Sequence, residues 1–221
     1  MTVTTTDLRP IDPAAFDLAA PALFGSSAAP ARRTLIDVLD ATVRAHGGAL
    51  AIDAGGTTLT YAELSVRVAA LRATLHEHGI GVGDRVGVRV TSGTAELYLA
   101  ILGVLAAGAA YVPVDADDPD ERAELVFTEA GVTAVIGDGA ALSIRRTPRG
   151  RPARPNPADD AWIIFTSGST GTPKGVAVSH GAAAAFVDAE AGLFLAGPDD
   201  TAIGPHDRVL AGLSVAFDAS C

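Results

Sequence analysis

Segments with the periodicity of a strand alternate with segments with that of a helix between residues 85 and 136. Residues 85–90 alternate polar and apolar side chains, and residues 111–114 and 132–136 are short apolar runs. A helical pattern that ends near Gly108 separates the first two runs. Strands separated by helices can be joined by crossovers, so we predict an α/β fold with a layered, largely parallel sheet flanked by helices.

Capping residues predict where other helices begin. Thr34 is expected to cap a helix that ends at Gly47, and Thr60 and Glu63 have the spacing of a capping box before a helix that ends at Gly79. The other elements predicted from periodicity are a helix over 118–131, strands at 162–165 and 176–178, and a helix over 180–195 with Ser179 as its N-cap.

Composition predicts three regions. Residues 1–33 are rich in Ala, Pro, Thr and Ser without periodicity, which is typical of a flexible tail. Residues 34–221 form the folded part, with an irregular loop or linker at 137–160. This loop contains five arginines without interleaved aromatic residues and lies in an acidic chain, which favours a solvated loop over a phosphate or nucleic-acid site. They are Arg145, Arg146, Arg149, Arg151 and Arg154.

Charge and cysteine usage limit the class of partner. The net charge of −10 disfavours binding to nucleic acid or anionic lipid. The single cysteine, Cys221, cannot form an internal disulfide, and no secretion signal is recognisable at the start, so we predict a cytoplasmic setting. Residues 97–114 are uncharged but interrupted by Gly108 and Pro113, which predicts a buried helix and strand and no membrane contact. Only His76 and His78 have the spacing of metal ligands, and two residues apart on a helix they point in different directions, so no zinc site is predicted.

The segment Thr166–Gly175, TSGSTGTPKG, carries the strongest chemical signal. Its three glycines allow the backbone to expose N–H groups to a ligand, and its five hydroxyls add neutral donors. Lys174 is the only lysine among 16 basic residues and supplies a compact positive charge suited to phosphate. The pattern therefore predicts a polyphosphate-binding loop between two strands.

Two common phosphate motifs do not match this segment. A P-loop requires Ser or Thr after its Gly-Lys pair, whereas Pro173 precedes Lys174 and Gly175 follows it. Gly168 and Gly171 do not have the spacing of a dinucleotide fingerprint. The remaining structural alternative is a hairpin loop that is merely rich in small residues.

TSGSTGTPKG resembles the phosphate-binding signature of the adenylate-forming superfamily. Three further segments resemble core motifs of nonribosomal peptide synthetase adenylation domains in order and spacing: LTYAEL (59–64), LAAGAAYVPVD (105–115) and FDAS (217–220). Ala106 stands where a lysine is usual in the second motif. Residues 93–123 and 208–221 look most like ε-poly-lysine synthetases.

The resemblance implies roles for eight residues. Seven match the loop that holds the β- and γ-phosphates of ATP: Thr166, Ser167, Gly168, Ser169, Thr170, Gly171 and Lys174. Of these, Thr170 and Lys174 are the implied catalytic residues. Asp218 matches the aspartate that pairs with the α-ammonium group of an amino-acid substrate.

The implied reaction joins an amino acid to ATP with Mg²⁺, giving aminoacyl-AMP and pyrophosphate. The fourth motif only begins before Cys221, so the rest of an adenylation domain and a carrier domain with phosphopantetheine are implied partners outside these residues. We therefore expect the 221 residues alone to be inactive. Two alternatives stay open: part of an acyl- or aryl-CoA ligase, and a noncatalytic nucleotide-binding remnant.

Overall fold

The computed structural model describes residues 32–54, 56–166, 173–194 and 207–217. The helices are α1 (Leu35–His46), α2 (Tyr61–Glu77), α3 (Ala95–Ala107), α4 (Asp120–Glu129) and α5 (His180–Phe194). The strands are β1 (Leu50–Ala54), β2 (Thr57–Thr60), β3 (Arg85–Val88), β4 (Ala110–Pro113), β5 (Ala134–Ile136), β6 (Leu142–Ile144), β7 (Asp160–Thr166) and β8 (Lys174–Ser179). Apart from Arg32 and Arg33, the predicted tail lies outside the described residues.

A six-stranded sheet forms the centre of the fold, in the order β6-β5-β3-β4-β7-β8. The four middle strands are parallel, and β6 and β8 pair antiparallel at the two sides. β1 and β2 form a separate antiparallel hairpin. The predicted α/β architecture with a largely parallel sheet is confirmed.

Alternating residues of β3 divide the hydrophobic core between the two faces of the sheet. Val86 and Val88 pack into a cluster with α2 and α3. Gly87 faces α4, where a Cβ would stand 2.7 Å from Cε1 of Phe127. A larger residue at position 87 would displace this ring, so the glycine allows α4 to pack closely on the sheet. Residues 97–114 form most of α3 and then β4, as predicted, and none of the described helices is long and apolar enough to cross a membrane.

The predicted helix caps are present. Thr34 forms a capping box with Asp37, and Thr60 forms one with Glu63. Gly108 follows α3 with a φ of 89°, in the left-handed region where glycine is favoured. Sequence-local hydrogen bonds therefore set the start of α1 and α2 and the end of α3.

The segment 137–160 is more ordered than predicted. It contains a 3₁₀ turn at Asp138–Ala140 and the strand β6, which pairs antiparallel with β5. The prediction of an irregular loop was wrong here because β6 has only three residues and gives almost no periodic signal. The hairpin β1–β2, on either side of a glycine turn, was also missed.

A buried carboxylate anchors this segment to the start of β3. Asp84 accepts hydrogen bonds from the N–H groups of Gly81 (3.1 Å), Arg149 (3.1 Å) and Gly150 (2.9 Å), and from the hydroxyl of Thr133 (3.1 Å). Only 4% of Asp84 is exposed. The four donors compensate the cost of burying the charge and fix the 149–150 turn against the sheet.

Replacing this carboxylate should destabilise the fold. Asp84→Ala leaves three N–H groups and a hydroxyl without their acceptor, and we expect the free energy of unfolding to fall by about 2–4 kcal/mol. Urea denaturation measures the change. Asp117→Ala, at an exposed aspartate, is the matched control and should change it by less than about 0.5 kcal/mol. Equal stability of the two variants would contradict the anchoring role.

Candidate functional site

The two ends of the glycine- and hydroxyl-rich segment face each other across β7 and β8. Thr166, the last residue of β7, lies opposite Lys174, the first residue of β8. The Thr166 hydroxyl donates to the carbonyl oxygen of Lys174 over 3.5 Å, a long hydrogen bond. The segment between β7 and β8 therefore begins and ends at the same edge of the sheet.

This edge is the one where ligands bind in parallel sheets. β7 runs parallel to β4, and β4 to β3, so Thr166 lies at the carboxyl edge of the parallel strands. Open α/β sheets bind their ligands outside the carboxyl ends of such strands. Thr166 and Lys174 are thus placed where a phosphate-binding loop is expected.

Packing of β7 into the sheet holds this position. Ile163 and Ile164 are buried, and Trp162 lies beside Tyr111 of β4, with ring centroids 6.0 Å apart. On β8, a Cβ at Gly175 would stand 3.0 Å from Cζ of Phe165. The glycine after Lys174 therefore also serves close packing between the strands, which its sequence context alone did not indicate.

The Lys174 side chain is available to a ligand. It is exposed, and no ion pair joins it to another residue within the described ranges. A free ammonium group at the carboxyl edge fits a phosphate ligand, because it can supply three donors and a full positive charge.

The structure tests only part of the predicted site. It brings Thr166 and Lys174 together, whereas Ser167, Gly168, Ser169, Thr170 and Gly171 lie outside the described residues. Asp218, the predicted partner of a substrate ammonium group, also lies outside them. Among the described residues no group of three His, Cys, Asp or Glu side chains could hold a metal ion.

His180, at the start of α5, has an environment that sequence reasoning missed. Its side chain is fully buried, and neither ring nitrogen has a hydrogen-bond partner among the described residues. Burial lowers the pKa of the imidazole, while the carboxylates of Asp159 and Asp37 oppose this shift. No sequence signal marked this burial, since a histidine after an N-cap serine is also typical of an exposed first turn.

A model of the family described as AMP-binding enzyme matches residues 39–221. The chain therefore belongs to the family of AMP-binding enzymes. More particularly, it corresponds to the N-terminal part of a nonribosomal peptide synthetase adenylation domain, and two curated relatives illustrate this. A probable non-canonical nonribosomal peptide synthetase, CymA of Salinispora arenicola, is 37% identical over 188 residues, which cover 85% of this chain and 2% of CymA. Phenyloxazoline synthase MbtB of Mycolicibacterium paratuberculosis is 36% identical over 214 residues, which cover 90% of this chain and 18% of MbtB.

Solved structures agree with this assignment. The nonribosomal peptide synthetase FmoA3 in its AMPPNP-bound form has a TM-score of 0.71 and 32% identity, with 88% of this chain and 21% of FmoA3 covered. The N-terminal subdomain of Klebsiella oxytoca NpsA in complex with anthranilyl-AMSN has a TM-score of 0.68 and 25% identity, covering 86% of this chain and 50% of that subdomain. The chain spans less than a fifth of the length of the two curated relatives.

The buried histidine should make stability depend on pH. An unfolded chain protonates His180 near its ordinary pKa of 6.5, whereas the folded chain resists protonation until lower pH. The free energy of unfolding should therefore decrease as pH falls below about 6.5, by at most about 1.4 kcal/mol per pH unit from this group. His180→Leu should remove this part of the decrease in urea denaturation between pH 7.5 and 5.

His46→Leu, at an exposed histidine, is the matched control and should keep the decrease. The capping carboxylate Asp37 does not interfere, because its pKa is lowered to about 2, chiefly by the backbone N–H of Thr34. Its contribution to stability is lost only as pH falls below its ordinary value of 3.8. The same pH dependence in the unaltered chain and in His180→Leu would contradict the buried, neutral state of His180.

Proposed function

We propose that this chain supplies the phosphate-binding part of an adenylation domain that activates an amino acid with ATP. The observation that supports this most strongly is the pairing of Thr166 with Lys174 at the carboxyl edge of the parallel strands. The match to the AMP-binding family supports a nucleotide as the ligand. FmoA3, a related protein, has been solved with the nucleotide analogue AMPPNP bound.

In the proposed reaction an oxygen of the amino-acid carboxylate forms a bond to the α-phosphorus of ATP. The bond from that phosphorus to the oxygen bridging to the β-phosphate breaks, and its electron pair leaves with pyrophosphate. Positioning and charge stabilisation dominate such transfers. Lys174 and the loop residues 167–171 would hold the β- and γ-phosphates and stabilise the leaving group, and Thr170 would add a hydroxyl donor.

Mg²⁺ would neutralise part of the triphosphate charge in this reaction. No group of three or more His, Cys, Asp or Glu side chains in the described ranges could hold a metal ion, and no protein ligand is assigned to Mg²⁺. The role of Lys174 does not depend on a protein-held metal, since its ammonium group acts on phosphate oxygens directly.

The substrate is proposed to be an amino acid whose ammonium group pairs with Asp218. FmoA3 is also known in an α-methyl-L-serine-AMP bound form, which supports an amino acid. The likeness to ε-poly-lysine synthetases suggests lysine as one candidate. The NpsA complex with anthranilyl-AMSN favours a second candidate, an aryl acid, which has no α-ammonium group for Asp218 to bind.

The 221 residues are proposed to act with further parts of an adenylation domain and with a carrier domain that bears phosphopantetheine. The chain covers 50% of the NpsA N-terminal subdomain, so half of a comparable nucleotide-binding unit has no counterpart here. We propose that the 221 residues alone do not catalyse adenylation. The alternative is a noncatalytic nucleotide-binding remnant. In that case a longer protein that contains this chain would not catalyse adenylation either.

Removing the lysine should impair adenylation. In a complete domain that contains this chain, Lys174→Ala should lower amino-acid-dependent ATP–pyrophosphate exchange by at least about tenfold, because the leaving pyrophosphate loses a charged donor whose removal costs about 2.7–4 kcal/mol in comparable sites. Lys174→Arg keeps the charge and should lose less. Arg44→Ala, at an exposed cation on α1, is the control. Unchanged exchange in Lys174→Ala would remove the proposed role of this residue.

The substrate class can be decided in the same domain. We expect exchange with at least one amino acid and none with aryl acids, and Asp218→Ala should raise KM for the amino acid by about tenfold or more, because an ammonium–carboxylate pair is lost. Exchange with an aryl acid alone, unaffected by Asp218→Ala, would establish the second candidate instead.

The isolated chain provides the last test. The 221 residues should give no amino-acid-dependent exchange above the background without enzyme. Clear exchange by this polypeptide would contradict the proposal that it needs the remaining parts of the domain.

A further inference from the structure

A second candidate ligand site lies at the amino edge of the sheet. A cleft of about 540 Å³ opens between the start of β3 and the turn that follows β6. Three arginines line it: Arg85, Arg146 and Arg149. Lys174 lies at the opposite, carboxyl edge, so this cleft is separate from the proposed nucleotide site.

Among the five arginines between residues 145 and 154, Arg145 and Arg154 form ion pairs. Arg145 forms two hydrogen bonds with the carboxylate of Glu124, at 2.7 and 2.6 Å. Arg154 bonds to Asp37 and Asp40 of α1, at 2.6 and 2.8 Å. These two arginines therefore have structural partners and are unavailable to a ligand.

Arg146 and Arg149 differ from them. Neither forms an ion pair with any carboxylate in the described part of the chain. Arg146 Nη1 stands 3.3 Å from the position of a Cβ at Gly131, which places its guanidinium group over the end of α4. Nη1 of Arg85 donates a hydrogen bond to the carbonyl oxygen of Ala130 (2.7 Å). This bond holds the third guanidinium group at the cleft.

The one carboxylate of the cleft organises the site and leaves it positive. Both oxygens of Asp84 are occupied by the four donors that hold the 149–150 turn. Three guanidinium groups against one carboxylate leave an excess of positive charge, in a chain with a net charge of −10. The backbone that carries Arg149 is thus fixed before a ligand arrives, which reduces the entropic cost of binding.

We propose that this cleft binds a small molecule that bears a phosphate group. Guanidinium groups present paired N–H donors that match phosphate oxygens, and several around one anion are typical of phosphate recognition. The cleft volume lies in the range of small-ligand sites, about 300–1,000 Å³. A concave site of this size favours a compact anion over an extended acidic peptide, whose docking needs a larger surface.

Pyrophosphate is a suitable probe once the other phosphate site is disabled. In the full chain with Lys174→Ala, isothermal titration should show saturable binding of one pyrophosphate. Adding Arg146→Gln and Arg149→Gln should weaken it by at least about tenfold, because two charge-assisted contacts are lost. Adding Arg72→Gln instead, at an exposed arginine of α2 outside the cleft, is the matched control and should leave the affinity unchanged.

The outcomes separate this proposal from the proposed nucleotide site. The cleft proposal is supported if pyrophosphate binds to Lys174→Ala and this binding is lost when Arg146→Gln and Arg149→Gln are added. This holds whatever the ATP–pyrophosphate exchange activity of the complete domain. No saturable binding in Lys174→Ala, or equal affinity in the Arg146/Arg149 variant, would overturn it. Tighter binding of a glutamate-rich peptide than of pyrophosphate, lost in the same variant, would overturn the ligand class.

Adding Arg146→Gln and Arg149→Gln should not change the midpoint temperature of thermal unfolding. The side chains of Arg146 and Arg149 are exposed, and Arg149→Gln leaves the backbone N–H at this position free to donate to Asp84 as before. A loss of pyrophosphate binding in this variant is therefore expected without a loss of folding.

Discussion

Backbone pairing between β7 and β8 is the interaction on which the candidate site depends. It places Thr166 opposite Lys174 and brings both to the edge where the parallel strands end. Two contacts stabilise this pairing. Tyr111 of the neighbouring strand β4 packs against Trp162, and Gly175 fits closely against Phe165. This support fixes Thr166 and Lys174, the described ends of the candidate segment, relative to the sheet.

The two edges of the sheet are organised by different means. At the carboxyl edge, the described part of the candidate site is Thr166 with Lys174, whose ammonium group forms no ion pair with another described residue. At the amino edge, a buried carboxylate fixes the turn that carries Arg149, which forms no ion pair with the described residues. Asp84 connects these features to the fold, because its four hydrogen bonds join the start of β3, the residue before β5 and the 149–150 turn.

Local signals in the sequence were sufficient to predict much of the fold. The N-cap at Thr34 and the capping box at Thr60 were both predicted, because each depends on residues only three positions apart. The segment proposed to bind phosphate could be singled out for the same reason, since the residues that suggest this chemistry are ten consecutive positions. By contrast, β6 gains its order from pairing with β5, and the burial of His180 depends on packing by segments distant in sequence. Such long-range effects leave no periodic or local signal.

A crystal structure of the complete domain with AMPPNP tests the central claim most directly. The account predicts that Lys174 Nζ lies within about 3 Å of a β- or γ-phosphate oxygen, a normal distance for a charged hydrogen bond. It also predicts that the nucleotide sits outside the carboxyl ends of β4 and β7. A nucleotide bound elsewhere, with Lys174 directed into solvent, would contradict the assignment of this segment as the phosphate-binding loop.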